Sequence, residues 1–272
     1  MVAVVREPEL SWTWSPWVLL ALALCLVAYV LCWRRARRTG ARGAGGWRLV
    51  AFAGGLTALF IAVVTPIARL GEQLFVAHMA QHILLLDVAP ILLIAGVTPA
   101  VLSPVARRAQ PIVTALRRLD HPAVAVLGYA GALWIWHIPA MYELALRSGA
   151  VHVLAHVVFV GVGLLFWWHV ISPLGSRSRL GGPKPVAYIG VAKFMTGVLA
   201  SALAFSPLGA YAFYAQQPRW WGLTAVDDQR AAGGLMMTEE LTLMTVAVAV
   251  IFIRMLGESE REESGREQFA EG

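Results

Sequence analysis

The stretch FVAHMAQHILLLDVAPILLIAG, residues 75–96, holds two histidines four apart and one aspartate inside an apolar run long enough to cross a bilayer. If it does span a membrane, His78, His82 and Asp87 lie where polar side chains are costly. They must then face an interior site or one another. The rest of the chain favours the membrane. Its 272 residues are 58% hydrophobic and only 14% charged. The mean hydropathy is +0.67, which points to an all-α, polytopic membrane protein. A net charge of +6 raises the question of nucleic acid. The arginines, however, concentrate in particular connectors, and membrane topology accounts for that without a nucleic-acid partner.

Apolar runs of spanning length, about 17–25 residues, fall at 16–33, 47–68, 75–96, 122–145, 151–172, 186–206 and 233–256. A bundle of seven transmembrane helices over residues 1–256 is predicted, followed by a charged segment, 257–272, expected to be a disordered cytoplasmic tail. Arg34, Arg35, Arg37, Arg38, Arg42 and Arg48 flank the first connector. Arg107, Arg108, Arg117 and Arg118 lie in the third, Arg177, Arg179 and Lys184 in the fifth, and Arg254, Arg261 and Arg266 follow the last run. The other connectors are poor in basic residues, carrying Arg69, then Arg147, then Arg219 and Arg230. Basic connectors prefer the cytoplasm, so the N-terminus is expected outside and the C-terminus inside. The first run has no basic leader and no convincing small-residue cleavage site, and is expected to be retained. Cys25 and Cys32 are seven residues apart, about 10 Å along a straight helix, beyond the reach of a disulfide.

This topology puts the histidines at one depth. His78 and His82 begin the third run, His152 and His156 begin the fifth, and His137 in WIWHIPAMYELAL lies in the outer half of the fourth. A separation of four turns a helix by about 400° and rises about 6 Å, so each pair shares a face. Met236, Met237, Glu239 and Glu240 enter the last run at the same level. Neutral imidazole is the commonest transition-metal ligand, and thioether selects softer ions such as Cu(I). Taken alone, one such pair is explained by interhelical hydrogen bonds. Two pairs at matching depth with His137 favour a metal site. His78, His82, His137, His152, His156, Met236 and Met237 are the candidate ligands.

Asp87 is nine residues beyond His78, about 900° of helix rotation, and is expected on the opposite face. Lys193 lies at a similar depth in the sixth run, and an Asp87–Lys193 ion pair is the preferred reading, with a proton relay as the sharper alternative. Glu239 and Glu240 are candidates to orient histidines or attract cations. Met79 adjoins the histidines in sequence, but a methionine in an apolar helix reads first as packing. His121, between Asp120 and Pro122, reads as helix-capping chemistry. His169 is expected near the inner interface.

HMAQHILLLDVAPILLIAG, WIWHIPAMYELAL, HVLAHVVFVGVGLLFWW and DDQRAAGGLMM together resemble the membrane-embedded CtaG-type assembly factors of caa3-type cytochrome c oxidase. The resemblance runs from about Trp47 to Met244. It implies a seven-span protein of the cell membrane that helps to build an oxidase by delivering copper to a subunit in the same membrane. It maps the family's histidines onto His78, His82, His137, His152 and His156, and its acidic loop onto Asp228 and Gln229. Two positions depart from the pattern. Ala155 stands where the family often has Glu, and Met236 is followed by Met237, Thr238 and Glu239 rather than by Trp. A carboxylate partner for His156 is therefore either missing or supplied by Glu239 or Glu240.

The residues and the resemblance together lead to the expectation of an integral membrane copper-handling assembly factor that is not an enzyme. A b-type haem protein with axial imidazoles and a copper or proton transporter are the alternatives.

Overall fold

The computed structural model describes residues 7–41, 43–108, 110–111, 114, 120–171 and 180–270. The protein is 81% helix, with no strand among the described residues. The helices long and apolar enough to cross a membrane are α1 (Pro16–Arg38), α2 (Gly46–Val64), α4 (Phe75–Gly96), α8 (Gly149–Ile171), α9 (Lys184–Phe205) and the apolar part of α11 (Ala225–Ala270). The fourth crossing is a bent pair, α6 (Pro122–His137) and α7 (Pro139–Arg147). Short helices α3 (Pro66–Gly71), α5 (Pro99–Arg108) and α10 (Ala212–Ala215) complete the set. The chain is an all-helical, multi-pass membrane protein, as expected. Of the basic residues used to orient it, Arg42, Arg117, Arg118, Arg177 and Arg179 lie outside the described residues. Helix α11 runs on into the charged segment as far as Ala270. Its Glu and Arg residues are good helix formers.

Two expected spans are broken by proline. The second ends at Val64, not near residue 68, because Thr65 precedes Pro66 and takes an extended conformation. The fourth, expected unbroken over 122–145, is interrupted. Ile138, before Pro139, is extended (φ −60°, ψ 126°), and the two halves meet at a 75° bend. The bend leaves the His137 carbonyl without a helical donor, and the Tyr211 hydroxyl donates to it at 3.0 Å.

The third irregularity shapes the site. Leu84–Val88 of α4 is a π-helical turn, with the Ala89 N–H bonded to the Leu84 carbonyl five residues back. Pro90 accounts for it. A proline inside a helix has no N–H and pushes against the carbonyl four residues earlier, here Leu86. The displaced carbonyl needs room on the neighbouring helix, and Gly163 of α8 supplies it. A Cβ there would overlap the Leu86 oxygen and approach Pro90 Cγ to 2.9 Å.

Helix α4 is the central element, with its stretch 75–96 the most buried of the spans. Its second half packs on α2, with Gly55 against Leu93 and Gly96 against Phe52. Helices α9 and α11 pack closely in antiparallel, where Gly233 meets the backbone of Ala200 and Ala204. A Tyr–Phe–Trp-rich core runs through the middle, with Tyr129, Phe159 and Phe166 fully buried. Helix α1 is peripheral and keeps a lipid-suited apolar face. Its Tyr29 stacks on Phe52 at 3.9 Å and donates to the Gly96 carbonyl.

Candidate metal centre

Helices α4, α6 and α8 bring all five candidate histidines together at one end of the bundle. The ring centroids form a contiguous set: His78–His82 4.4 Å, His78–His152 5.4 Å, His152–His156 4.3 Å, His82–His137 5.9 Å and His82–His156 6.4 Å. The i,i+4 spacing puts each pair on one face, and the bend after His137 ends α6 at the same level. His78, His82 and His137 are buried, whereas His152 and His156 are partly exposed. The cluster therefore grades from an accessible edge to a buried interior.

Hydrogen bonds fix two of the rings. Nδ1 of His137 lies 2.7 Å from the Leu133 carbonyl and Nδ1 of His78 lies 3.3 Å from that of Gly71. A carbonyl only accepts, so in each neutral ring Nδ1 carries the proton and Nε2 presents a lone pair. A metal-binding imidazole is held in the same way, through its other nitrogen. Three further ring nitrogens, His82 Nδ1, His152 Nε2 and His156 Nε2, have no hydrogen-bond partner among the described residues. Even so, among those residues no three or more His, Cys, Asp or Glu side chains stand in an arrangement that would hold a metal ion. The cluster gathers donors without closing them around one point.

Aromatic side chains cover the cluster. Tyr142 packs against both His78 and His137, at 5.1 and 5.8 Å between rings. Tyr214 donates to the Gly71 carbonyl at 2.7 Å, sharing it with His78. Burial pushes the Tyr211 and Tyr214 phenols up, so both remain protonated donors.

A small cavity of about 20 Å3 adjoins the histidines, with room for about one water-sized body. Its lining includes His82, Met79 and Met236 together with Asp87, Lys193, Glu239 and Glu240. Asp87, expected to face away from the histidines, does not touch them, but it opens onto the same cavity as His82. The π turn that follows His82 takes more residues per turn than an α-helix and so rotates Asp87 back from the position straight-helix geometry gives it. The expected pairing with Lys193 is present at 3.6 Å, but within a larger network. Tyr129 Oη donates to both Asp87 oxygens at 2.9 Å, and Trp167 Nε1 donates to Oδ1 at 2.7 Å. Lys193 Nζ donates to Tyr129 Oη at 2.8 Å and to Glu239 Oε1 at 3.1 Å. Glu239 is thus engaged by Lys193 rather than by His156, and Glu240 reaches back towards Gly197 of α9.

The methionines sort differently from expectation. Met236 is buried and lines the cavity, while Met237 is only partly buried and packs into the apolar core. Met79, outside the expected ligand set, is buried with its sulfur 3.3 Å from His137 Nε2. Its position three residues before His82 is the signal that marks it, because i and i+3 share a helix face.

Asp228 stands apart from the donors and holds the fold. Its carboxylate accepts from the backbone N–H groups of Phe75 (2.6 Å) and Val76 (3.0 Å), capping α4 from another helix. Gln229 pins the preceding loop by accepting from Ala210 N and donating to the Leu203 and Leu208 carbonyls. His121 caps α6 by accepting from Ala123 N. His169 is fully buried and lies 3.4 Å from Asp120. Cys25 and Cys32 are both free.

The model of one protein family, described as cytochrome c oxidase caa3 assembly factor, matches residues 27–258. The chain belongs to that family. Two relatives of this assembly factor, uncharacterised proteins of Mycobacterium bovis and Mycobacterium tuberculosis, are each 25% identical to it over 258 residues. Each match covers 88% of this chain and 39% of the relative. An uncharacterised protein of Mycobacterium leprae is 30% identical over 162 residues, covering 54% of this chain and 24% of its own length. The chain thus spans about two fifths of the length of the first two relatives. No solved structure matches it.

Proposed function

We propose that this caa3 assembly factor binds copper at the histidine end of the bundle and passes it to a cytochrome c oxidase subunit in the same membrane. The observation that carries the proposal is the convergence of five imidazoles from three helices, with unpartnered nitrogens on His82, His152 and His156. Imidazole suits copper, and the adjoining thioethers of Met79 and Met236 suit its reduced form. Copper here is cargo. A carrier needs donors that exchange, and a loose set with a partly exposed edge at His152 and His156 fits that better than a closed cage. By the positive-inside rule the histidine end faces outwards, across the cell membrane, and the arginine-rich end faces the cytoplasm. No residue is assigned a bond-making role.

A b-type haem is less well suited, since the packed rings adjoin space for a single small body rather than a porphyrin. The test is metal analysis of the purified protein beside His78→Ala, His82→Ala, His152→Ala and His156→Ala, with oxidase copper measured in the same cells. Loss of bound copper together with copper-poor oxidase is expected. Unchanged bound copper in all four variants would remove the site.

A further inference from the structure

With the His137 ring neutral, its contact with Met79 lacks a proton. His137 gives its Nδ1 proton to the Leu133 carbonyl at 2.7 Å, so Nε2 presents only a lone pair. That lone pair faces the Met79 sulfur at 3.3 Å, and a thioether is also only an acceptor. Two buried electron-pair donors therefore face each other with no hydrogen between them. A soft cation shared by both would resolve the arrangement. A second observation points to the same place. His82 is buried, its Nδ1 has no partner among the described residues, and it lines the cavity together with Met79 and Met236. The wall of that cavity also carries three carboxyl groups, Asp87, Glu239 and Glu240, against one ammonium, Lys193. With all four ionised the wall has a surplus of negative charge. A monovalent cation at the neutral donors would be balanced within about 20 Å3 of space.

We propose that His82, His137, Met79 and Met236 form an inner station for a soft monovalent cation of the Cu(I) class. It is distinct from the more exposed His152–His156 pair, which acts as the receiving edge. This rests on the copper reading above and adds a direction to it, from imidazoles at the rim to mixed imidazole and thioether donors inside. Movement between the two is ligand exchange at constant oxidation state, so no electron donor or acceptor is needed. Thioether donors favour Cu(I) over Cu(II) and over zinc, so the inner station also sets which ion is retained.

X-ray absorption of the purified full chain loaded with Cu(I) tests the inference, with Ag(I) titration as a redox-silent parallel. Wild type is expected to show sulfur scattering beside nitrogen. The Met79→Leu/Met236→Leu double variant, which conserves volume, is expected to lose the sulfur shell and about one Ag(I) per chain. His152→Ala/His156→Ala is expected to keep the sulfur shell. Cu(I) bound by wild type through nitrogen and oxygen alone overturns the inner station and leaves the copper reading standing. So does a sulfur shell that survives in a folded double variant. Wild type that binds neither Cu(I) nor Ag(I) overturns both. All spectra are taken with Cys25→Ser/Cys32→Ser in the background, so that no thiol supplies sulfur, and a sulfur shell absent from the otherwise native chain overturns the inner station even if the double variant fails to fold.

Discussion

Replacing Lys193 by methionine keeps most of the side-chain volume and removes the ammonium from a buried cluster of three carboxyl groups. In the native chain its Nζ donates to Tyr129 Oη at 2.8 Å and to Glu239 Oε1 at 3.1 Å, and stands 3.6 Å from Asp87 Oδ2. At an effective dielectric of about 20, a unit-charge pair at either carboxylate separation is worth about 5 kcal/mol. Much of that attraction offsets the cost of burying Asp87 and Lys193, which are 1% and 4% exposed. The net loss is set by the carboxylates left behind, about 3–5 kcal/mol. They are not left equally. Asp87 keeps Tyr129 and Trp167 as donors, whereas Glu239 loses the ammonium that engages it. Adding Glu239→Gln to Lys193→Met is therefore expected to restore about half of the loss. Exchanging the two residues, Asp87→Lys with Lys193→Asp, is expected to fail. An ammonium at position 87 would meet the Trp167 indole, which can only donate. The assay is the thermal unfolding midpoint of protein purified in mild detergent, with the folded fraction read by size exclusion. A Lys193→Met variant within about 0.5 kcal/mol of wild type, or an exchange variant as stable as wild type, would refute the reasoning.

Gly163→Ala is expected to cost about 1–3 kcal/mol, because its Cβ would overlap the Leu86 carbonyl at the π turn. Gly128→Ala on the facing helix, with Val162 Cγ1 at 3.8 Å, is the tolerated control, and equal melting of the two variants would dismiss the packing argument. Asp228→Ala removes the cap on Phe75 and Val76 and is expected to lose about 1.5–3 kcal/mol. Hydrogen exchange should speed up at those two amides first, and protection unchanged there would contradict the capping role. Glu240→Gln reduces the negative surplus across the cavity. If that charge acts from about 10 Å through a dielectric of about 20, Ag(I) retention falls roughly tenfold; retention equal to wild type in a titration would show that the carboxylate plays no part.

The crossings and the histidine convergence were legible because both follow from local spacing. Apolar run length gives the spans, and a separation of four gives a shared face whatever the neighbours do. The Asp87–Lys193 pair was legible for a third reason, since two buried opposite charges at one depth have few other partners. What escaped depends on contacts between helices. The π turn needs Pro90 to displace the Leu86 carbonyl and Gly163, on a helix distant in sequence, to make room for it. An ideal α-helix therefore rotates Asp87 away from His82, whereas the real one places both on one cavity. Met79 escaped because its partner, His137, stands on another helix, at its last residue before the bend at Ile138. Both distortions begin at prolines that stand in plain view in the sequence. Straight-helix geometry, however, carries neither the size of a bend nor the identity of the neighbour that makes room for it. Asp228 stood out for its acidity, while its use as a cap for α4 depends on packing across 153 residues of sequence.

The shared cavity changes how the charges are to be understood. Imidazole and thioether donors are neutral, so a cation entering them at membrane depth brings an uncompensated charge into a poorly solvating interior. Compensation has to come from nearby, and the wall of Asp87, Glu239 and Glu240 provides it. Three carboxylates with no cation at all would in turn be too costly to bury. On the proposed copper reading Lys193 would resolve that conflict: it neutralises part of the wall when the cavity holds no metal, and with the three carboxyl groups ionised it would leave a residual negative charge to favour a cargo cation. Stability and retention then respond oppositely to the same residue. Removing Lys193 strengthens the field that would hold a cation and weakens the fold that carries the field. The carrier proposed above, which must both load and release, would be served by this balance, whereas a permanent cofactor site would be served by full neutralisation.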